Sequence, residues 1–431
     1  MSLISHNPPQ QAAADGALPS AAPAKPRLGW LDALRGLAAL TIVVQHFTQL
    51  VMPETFVRIS RHVDLGSYGV FLFFLVSGYI VPASLERRGS VRGFWVSRLF
   101  RIYPLCLLVV LAGVAVWKLG YTTPALSPVH WFSAAHPAIA ALGNATMLHD
   151  FLGVNGTLYV MWTLSYEMVF YLLVASLFVL GLHRRSAEIS AGLAVVAVAA
   201  VGAFPVLTLF HTLPGQKRLV AATAAVMAVG LVAIMSRRRP LAILGALTLG
   251  GLATVLVMGH SRMPGWFSLV VLSTMFAGTA IYRAEQGQIN RWVCWIGLAI
   301  TLGAGLYVGS RYGETGRRTP EIQWQWPITL LAVWATFAVG MALRNRRMPR
   351  VLTWLGGISY SVYLVHAVLL CVLLKLIGPG SVTSIGTGRR MALGFAFCAA
   401  VLAVSHLTHR WIEKPAQKLG HRVTKLVDRK R

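Results

Sequence analysis

Acidic residues are scarce in this sequence, which has 13 Asp and Glu against 39 Lys and Arg among its 431 residues. Charged residues of both signs make up 12% of the chain, about half of the share found in soluble globular domains. Together with 56% hydrophobic residues and a mean hydropathy of +0.64, this composition excludes an ordinary soluble domain. In a membrane protein a basic excess reflects topology and attraction to anionic lipid, so we expect no nucleic-acid partner.

Cysteine is also rare. The four cysteines stand singly in apolar surroundings, without a CxxC pair or any metal-ligand spacing. We therefore predict that they are small buried apolar residues, and we expect no metal site. The first 27 residues are rich in Pro, Ala and Gln and contain no apolar run of the kind found in signal peptides. This composition predicts a disordered cytoplasmic tail.

Long apolar runs dominate the rest of the chain. A membrane-spanning helix needs about 20 apolar residues, and the sequence predicts an all-α polytopic bundle of about 12 such helices, within a range of 10–12. The candidate spans are 30–52, 67–85, 102–120, 158–181, 188–209, 219–235, 240–259, 265–282, 292–309, 325–343, 355–377 and 390–411.

The distribution of basic residues between the predicted loops gives an orientation. If the N-terminus lies inside, and Arg390 and Arg410 at the ends of the last span are counted with the adjoining loops, the inner loops and the two termini hold 26 Lys and Arg, and the outer loops hold 10. The long outer loop 121–157 has none. This bias predicts that both termini are cytoplasmic. We expect one membrane domain over residues 28–415, followed by a basic cytoplasmic tail over 416–431.

Arg35 and His46 interrupt the first predicted helix, where a charge or an imidazole costs free energy unless it is paired or functional. They are 11 residues apart, which places both side chains on one helix face, about 16 Å from each other. Asp32, three residues before Arg35, can pair with it. A structural role is the alternative: Arg35 can extend to the interface, and His46 can hydrogen-bond a neighbouring helix.

Two further sites place polar groups at or within predicted spans. Glu167, in MWTLSYEMVFYLL, is the acidic residue most clearly embedded in an apolar run, with Thr163 on the same helix face. A buried carboxylate needs a cation or an imidazole as partner, or a simple helix–helix hydrogen bond. Arg98 and Arg101 form an i,i+3 pair at the inner mouth of the third predicted span. They are either a topology anchor or a phosphate-binding pair.

The C-terminal part of the chain repeats this pattern. Ser359, Tyr363 and His366 form one polar stripe on an apolar helix, with structural hydrogen bonding as the alternative to a functional role. The last predicted helix ends in SHLTHRWIEKP, where Pro415 is expected to close it. The polar residues on one face of that end are His406, His409, Arg410 and Glu413. Together, these sites predict acid–base chemistry beside an anion site.

Six motifs in the same order resemble the membrane acyltransferase-3 family, whose members move acyl groups onto carbohydrates and other hydroxyl-bearing acceptors. They are LDALRGLAALTIVVQH, FFLVSGYI, SRLFRIYP, MWTLSYE, ISYSVYLVH and HRWIEKP, and they extend from residue 31 to 415. Thr163 and Val365 depart mildly from the family's usual residues, Ser and an aromatic residue, at these positions.

The resemblance implies a set of functional residues. His46 is expected to be the catalytic residue, with Glu167 and Arg35 in the catalytic group and Arg98, Arg101 and Arg35 on the donor. We expect acceptor contacts from Tyr363, His366 and Trp162. The implied donor is acetyl-CoA or another acyl-CoA on the cytoplasmic side, with no tightly bound cofactor. The implied acceptor is a carbohydrate or glycoconjugate.

The resemblance also implies a multi-pass protein of the cell inner membrane. In the mechanism we expect, neutral His46 acts as general base on the acceptor hydroxyl, and Glu167 orients it or stabilises the imidazolium. An acyl-histidine intermediate is the competing route. A transporter or flippase for a lipid-linked sugar is the alternative function, because it too needs buried charges and a central cavity.

Overall fold

The computed structural model describes residues 29–120, 136–156, 158–199, 201, 212–312, 322–378, 382 and 384–429. Within these ranges the regular structure is helical throughout, which confirms the predicted all-α class. The predicted N-terminal tail lies outside the described residues. The helices are α1 Gly29–Val51, α2 Pro53–Ser60, α3 Leu65–Arg88, α4 Val91–Lys118, α5 Pro137–Ala145, α6 Trp162–Val179, α7 Ser186–Ala199, α8 Leu213–Ile234, α9 Arg239–Gly259, α10 Gly265–Glu285, α11 Arg291–Tyr312, α12 Ile322–Ala342, α13 Arg350–Ile377, α14 Thr387–Thr408 and α15 Lys414–Arg429.

Each of the twelve predicted spans corresponds to one of these helices. Eleven helical segments of the described chain are long and apolar enough to cross a membrane. The twelfth candidate, 188–209, corresponds to α7, which has 14 residues, and most of the rest of that span lies outside the described residues. The chain is therefore a multi-pass helical membrane protein. The placement of both termini in the cytoplasm stays a prediction.

The helix carrying Arg98 and Arg101 begins earlier than predicted. Gly89, with φ 61°, ends α3 in the left-handed conformation that favours glycine. Ser90 then caps α4 by accepting from the backbone N–H of Gly93 at 3.1 Å. Because α4 starts at Val91, both arginines lie inside the helix, about two turns or more beyond its first residue.

Helix α1 packs against α13 and α3, and these three helices carry most of the candidate site. The approach of α1 to α13 is closest at Gly356, where an added Cβ would lie 1.9 Å from the carbonyl oxygen of Asp32. A side chain of any size is therefore excluded at this crossing. The pairing fixes the position of the second half of α13 relative to the second half of α1.

The prediction that Pro415 closes the last helix is wrong. A π-helical turn, His409–Glu413, follows α14 and leads directly into α15. The missing N–H of Pro415 falls where the regular hydrogen-bond ladder is already interrupted, so the proline is accommodated. Much of the basic tail, 416–429, is accordingly a helix that packs on α4, with Gly420 against Phe100.

Candidate active site

His46 on α1 and His366 on α13 contact each other through their rings. The Nδ1 atom of His46 lies 3.0 Å from the Nε2 atom of His366. The ring planes are 4° from parallel and the ring centroids are 5.2 Å apart, as expected for two rings joined edge to edge. His366 is fully buried, and His46 is half-buried. The two residues are 320 positions apart in the chain.

The environment of His366 fixes where the protons of this pair lie. Its Nδ1 atom is 3.0 Å from the carbonyl oxygen of Val362, which can only accept. Nδ1 of His366 therefore donates to Val362, and Nε2 of neutral His366 is an acceptor. Nδ1 of His46 then donates to His366, which leaves the Nε2 atom of neutral His46 with a lone pair.

A pocket of about 250 Å³ adjoins His46. Its polar and aromatic lining includes Gln45, Gln49, Trp162, Phe267 and Tyr363, and it reaches the α1–α3 connection at Asp64. Tyr363 is held in place because its hydroxyl donates to the carbonyl oxygen of Val160 at 2.5 Å and accepts from Thr163 at 2.7 Å. Two residues predicted to bind substrate, Trp162 and Tyr363, thus line this pocket, whereas the third, His366, contacts His46 directly.

Arg35 lies near the start of α1, at the end of the bundle opposite this pocket. We call this end, which also carries the arginine-rich loops 180–185, 235–238 and 343–349, the basic end. Its side chain is 12% exposed and is 4.0 Å from Asp32, and Arg101, Glu167 and Glu413 also act on it electrostatically. The guanidinium carbon lies 5.9 Å from the centre of the Phe73 ring. That ring stacks on Tyr363 with 6.5 Å between centroids. Aromatic rings therefore connect the Arg35 region to the pocket beside His46.

Arg98 and Arg101 differ in their surroundings. Arg98 is only 5% exposed, and its guanidinium carbon lies 5.2 Å from the Phe94 ring centre and 5.1 Å from that of Tyr171. Arg101 is half-buried. The predicted phosphate-binding pair is thus one enclosed arginine and one accessible arginine.

Glu167 lies with these arginines and not against His46. Its carboxylate accepts a hydrogen bond from the Tyr171 hydroxyl, and it acts electrostatically on Arg35 and Arg98. In the contacts of the described residues, His366 occupies the place beside His46 that the sequence reasoning gave to Glu167. A buried carboxylate can pair with a cation or an imidazole, and in this structure arginines are the nearby cations.

Tyr159 was not among the residues predicted from the sequence, and Glu413 was predicted only as part of the polar face at the end of the last helix. Tyr159 packs edge-on against the His46 ring at 4.6 Å between centroids, and its hydroxyl has no hydrogen-bond partner within the described ranges. Glu413 is buried, accepts from the Ser361 hydroxyl and lies 3.3 Å from Nδ1 of His409. The sequence carries no signal for the π-helical turn that directs Glu413 inward.

No cluster of three or more His, Cys, Asp or Glu side chains that could hold a metal ion occurs in the part of the chain that the structure describes. The site is a histidine pair beside a polar pocket, with an arginine group toward the other end, in a multi-pass helical membrane protein. These are features of a membrane enzyme that handles an anionic substrate.

Comparison with known proteins identifies the family. The model of the acyltransferase-3 family, an acyltransferase domain, matches residues 28–409. The chain belongs to this family and is a membrane acyltransferase, which confirms the resemblance. The match favours this function over the transporter alternative.

Two curated proteins are similar to the chain. Acyltransferase MdmB of Streptomyces mycarofaciens is 27% identical over 409 residues, which cover 91% of this chain and 92% of that protein. Nodulation protein 10 of Rhizobium leguminosarum bv. viciae is 32% identical over 149 residues, or 32% of this chain and 38% of that protein. No solved structure is significantly similar to the chain.

Proposed function

We propose that this acyltransferase, acting in the cell inner membrane, moves an acetyl group from acetyl-CoA to a hydroxyl of a carbohydrate or glycoconjugate, with His46 as general base. The observation that carries the proposal is the chain of hydrogen bonds from His46 through His366 to the Val362 carbonyl. It presents the lone pair of His46 Nε2 at a substrate-sized pocket, and a neutral imidazole is an effective base near neutral pH.

The reaction needs two proton transfers, one to His46 and one from it. His46 Nε2 takes the proton of the acceptor hydroxyl while the hydroxyl oxygen bonds to the thioester carbonyl carbon. The carbon–sulfur bond then breaks, the acetyl group stays on the acceptor oxygen, and the CoA sulfur takes the proton back from His46. General-base assistance of this kind contributes roughly 10²–10⁴-fold. His366 stabilises the imidazolium only as an acceptor, because its own Nδ1 proton is held by Val362.

The donor's phosphates are assigned to Arg35 and Arg101 at the basic end. Both are partly accessible, and arginine forks bind phosphate oxygens in pairs. Arg98, enclosed between Phe94 and Tyr171, is assigned to holding Tyr171 and Glu167 in place. The separation of about 16 Å along α1 between Arg35 and His46 suits a long, thin donor whose thioester reaches His46.

The pocket beside His46 suits a single sugar unit. Its 250 Å³ lies just below the usual range for small-molecule sites, about 300–1,000 Å³. Trp162 supplies an apolar ring face, and the amides of Gln45 and Gln49 can both donate to and accept from hydroxyl groups. Such a mixture binds neutral polyhydroxylated compounds without requiring a charge.

The reaction is tested with purified protein in detergent, acetyl-CoA and a crude envelope-glycan extract. We expect the extract to stimulate release of free CoA and acetyl ester to appear in the glycan fraction by mass spectrometry. CoA release without any acetylated product would contradict transfer to a carbohydrate. Saturable acetyl-CoA binding with neither release nor product would contradict acetyl as the group transferred to that extract.

Separate variants test the two arginine assignments. We expect Arg101→Ala to raise the KM for acetyl-CoA by about 10–100-fold, since a hydrogen bond to a charged group contributes about 1.5–3 kcal/mol. Arg98→Ala is expected mainly to lower the melting temperature, because it empties the space between two rings. Arg58→Ala, at the other end of the molecule, serves as control. Equal KM values for Arg101→Ala and Arg58→Ala would contradict the phosphate assignment.

A further inference from the structure

A second, larger cavity of about 740 Å³ lies at the basic end of the bundle, between α1, α3, α10, α11 and α12. Its lining shares no residue with the pocket beside His46. Five aromatic side chains contribute to its wall: Trp30, Tyr79, Trp295, Trp334 and Phe337. The cavity falls within the usual size range of small-molecule sites, about 300–1,000 Å³.

The cavity also carries charged groups at its basic-end rim. Arg344 forms an ion pair with Glu285 at 3.3 Å, and the hydroxyl of Tyr79 donates to the same carboxylate. Arg291, the second arginine of the lining, makes no ion pair with any described residue. The rim therefore has one positive charge in excess, which favours an anionic ligand.

The position of α11 indicates how a ligand reaches the cavity. Trp295 lines the cavity and is nevertheless 59% exposed, and its neighbour Trp292 is 75% exposed. In a membrane, exposed tryptophans at the end of a spanning helix lie at the depth of the lipid headgroups. The cavity thus opens sideways toward the bilayer, which suits a ligand with a charged head and an apolar body better than a water-soluble nucleotide.

We propose that this cavity binds an anionic phospholipid of the leaflet at the basic end. The lipid phosphate pairs with Arg291 and Arg344, and the upper part of an acyl chain packs on the rings of Trp295 and Phe337. Basic pockets between membrane helices on the cytoplasmic side are suited to such headgroups. The inference goes beyond the proposed acetyl transfer and uses none of the residues assigned to it.

Native mass spectrometry of the full chain in detergent tests the proposal, with phosphatidylglycerol and phosphatidylcholine of identical acyl chains added in turn. We expect the wild type to bind phosphatidylglycerol more tightly. The double variant Arg291→Gln/Arg344→Gln should weaken that binding about 30-fold, as the loss of two basic charges near a lipid predicts. Ala284→Phe, which fills the cavity without changing its charge, should weaken binding of the same lipid.

The control is Arg184→Gln/Arg185→Gln, which removes two exposed arginines at the basic end but outside the cavity. It is expected to bind phosphatidylglycerol as the wild type does. Equal binding of the two lipids, or equal weakening by the control and the cavity variants, would overturn the proposal. So would displacement of bound phosphatidylglycerol by acetyl-CoA, because that result would assign the cavity to the donor nucleotide.

Discussion

His366 determines which nitrogen of His46 can act as a base. Its Nδ1–H is committed to the Val362 carbonyl, so its Nε2 must accept from His46. Without that acceptor, His46 can adopt the other tautomer and point its proton at the substrate. His366 is therefore a positioning residue: it acts through His46 and has no necessary contact with the acyl group.

Two substitutions of His366 separate positioning from packing. We expect His366→Leu to lower kcat by about 10²–10⁴-fold with little change in the donor KM, since it removes the acceptor for His46 Nδ1. His366→Gln keeps an acceptor oxygen and should recover part of the loss. If the two variants had the same kcat, and their losses of activity matched their losses of melting temperature, His366 would be only a packing residue.

A second buried histidine, His149, lies with Asp150 outside the spanning helices, and the two form a polar cluster with Ser165 of α6. The Ser165 hydroxyl lies 3.4 Å from His149 Nδ1 and accepts from the Asp150 backbone N–H at 3.3 Å. Burial raises the pKa of the Asp150 carboxyl to about 6, although Arg262 acts in the opposite direction. Burial and Arg262 lower the pKa of His149 to about 3.

These two shifts act oppositely on stability. Folded Asp150 holds its proton more tightly than the unfolded chain does, so its contribution to stability falls as pH rises from about 4 to 6. Folded His149 resists protonation, so stability is lost as pH falls below the unfolded value of 6.5. Each proton that one state binds and the other does not changes the unfolding free energy by about 1.4 kcal/mol per pH unit.

Asp150→Asn should therefore make the protein more acid-sensitive. Only the His149 contribution then remains, and we expect the melting temperature of the variant to fall more steeply than that of the wild type between pH 6.5 and 4.5. Thermal unfolding in detergent at several pH values measures this difference. If the melting temperatures of the two proteins changed equally with pH, the assigned protonation states would be contradicted.

The sequence predicted where some of these residues lie and not where others do. The 11-residue spacing of Arg35 and His46 placed them on one helix face. In the structure Arg35 lies over the Phe73 ring, Phe73 stacks on Tyr363, and Tyr363 contacts His366, the partner of His46. The partner of His46 could not be predicted, because it lies 320 residues away on another helix. Glu167 was expected beside His46. The order of helices along the chain does not determine which of several buried polar side chains contact each other.

At the scale of helices, the crossing of α1 and α13 controls the site, because one histidine lies on each. The adjacent glycines of this crossing offer a matched pair of substitutions. A Cβ at Gly356 would lie 1.9 Å from the Asp32 carbonyl oxygen, whereas a Cβ at Gly357 would meet no atom within 4 Å. The two positions thus lie next to each other on one helix, but only Gly356 lacks space for a side chain.

We expect Gly356→Ala to lower the melting temperature and to reduce CoA release strongly, because α13 must move away from α1 and carry His366 with it. Overpacking of this kind costs about 1–3 kcal/mol. Gly357→Ala should be neutral or stabilising, since alanine favours a helix over glycine by about 1 kcal/mol. Thermal unfolding and CoA release of the two variants are compared directly. Similar losses in both would contradict the close crossing.

Hydrophobicity predicted the helices well and their ends poorly. Each of the twelve candidate spans overlaps a helix of the described chain, because a bilayer requires long apolar segments with their backbone hydrogen bonds satisfied internally. The start of α4 at Val91 and the passage of the last helix through Pro415 were missed. The first depends on the Gly89–Ser90 cap and the second on a π-helical turn, and hydropathy reports neither.

At the scale of the whole molecule, the two ends of the bundle differ in chemistry. One end has Arg35, Arg101 and the enclosed Arg98, and the other has the pocket beside His46, whose lining contains no Lys or Arg. The basic bias of the loops predicts that the arginine end faces the cytoplasm, the side from which we propose that acyl-CoA binds. In the proposed reaction, donor and acceptor therefore reach His46 from opposite directions along the bundle axis.

The most direct test of this account is the acetyl-transfer rate of His46→Ala, measured as extract-stimulated CoA release beside the wild type. The variant should keep saturable acetyl-CoA binding, because Arg35 and Arg101 are untouched, and thermal unfolding checks that it is folded. We predict that its kcat falls by about 10²-fold or more, the usual contribution of a general base. A folded His46→Ala variant that transfers acetyl groups at the wild-type rate would contradict the account.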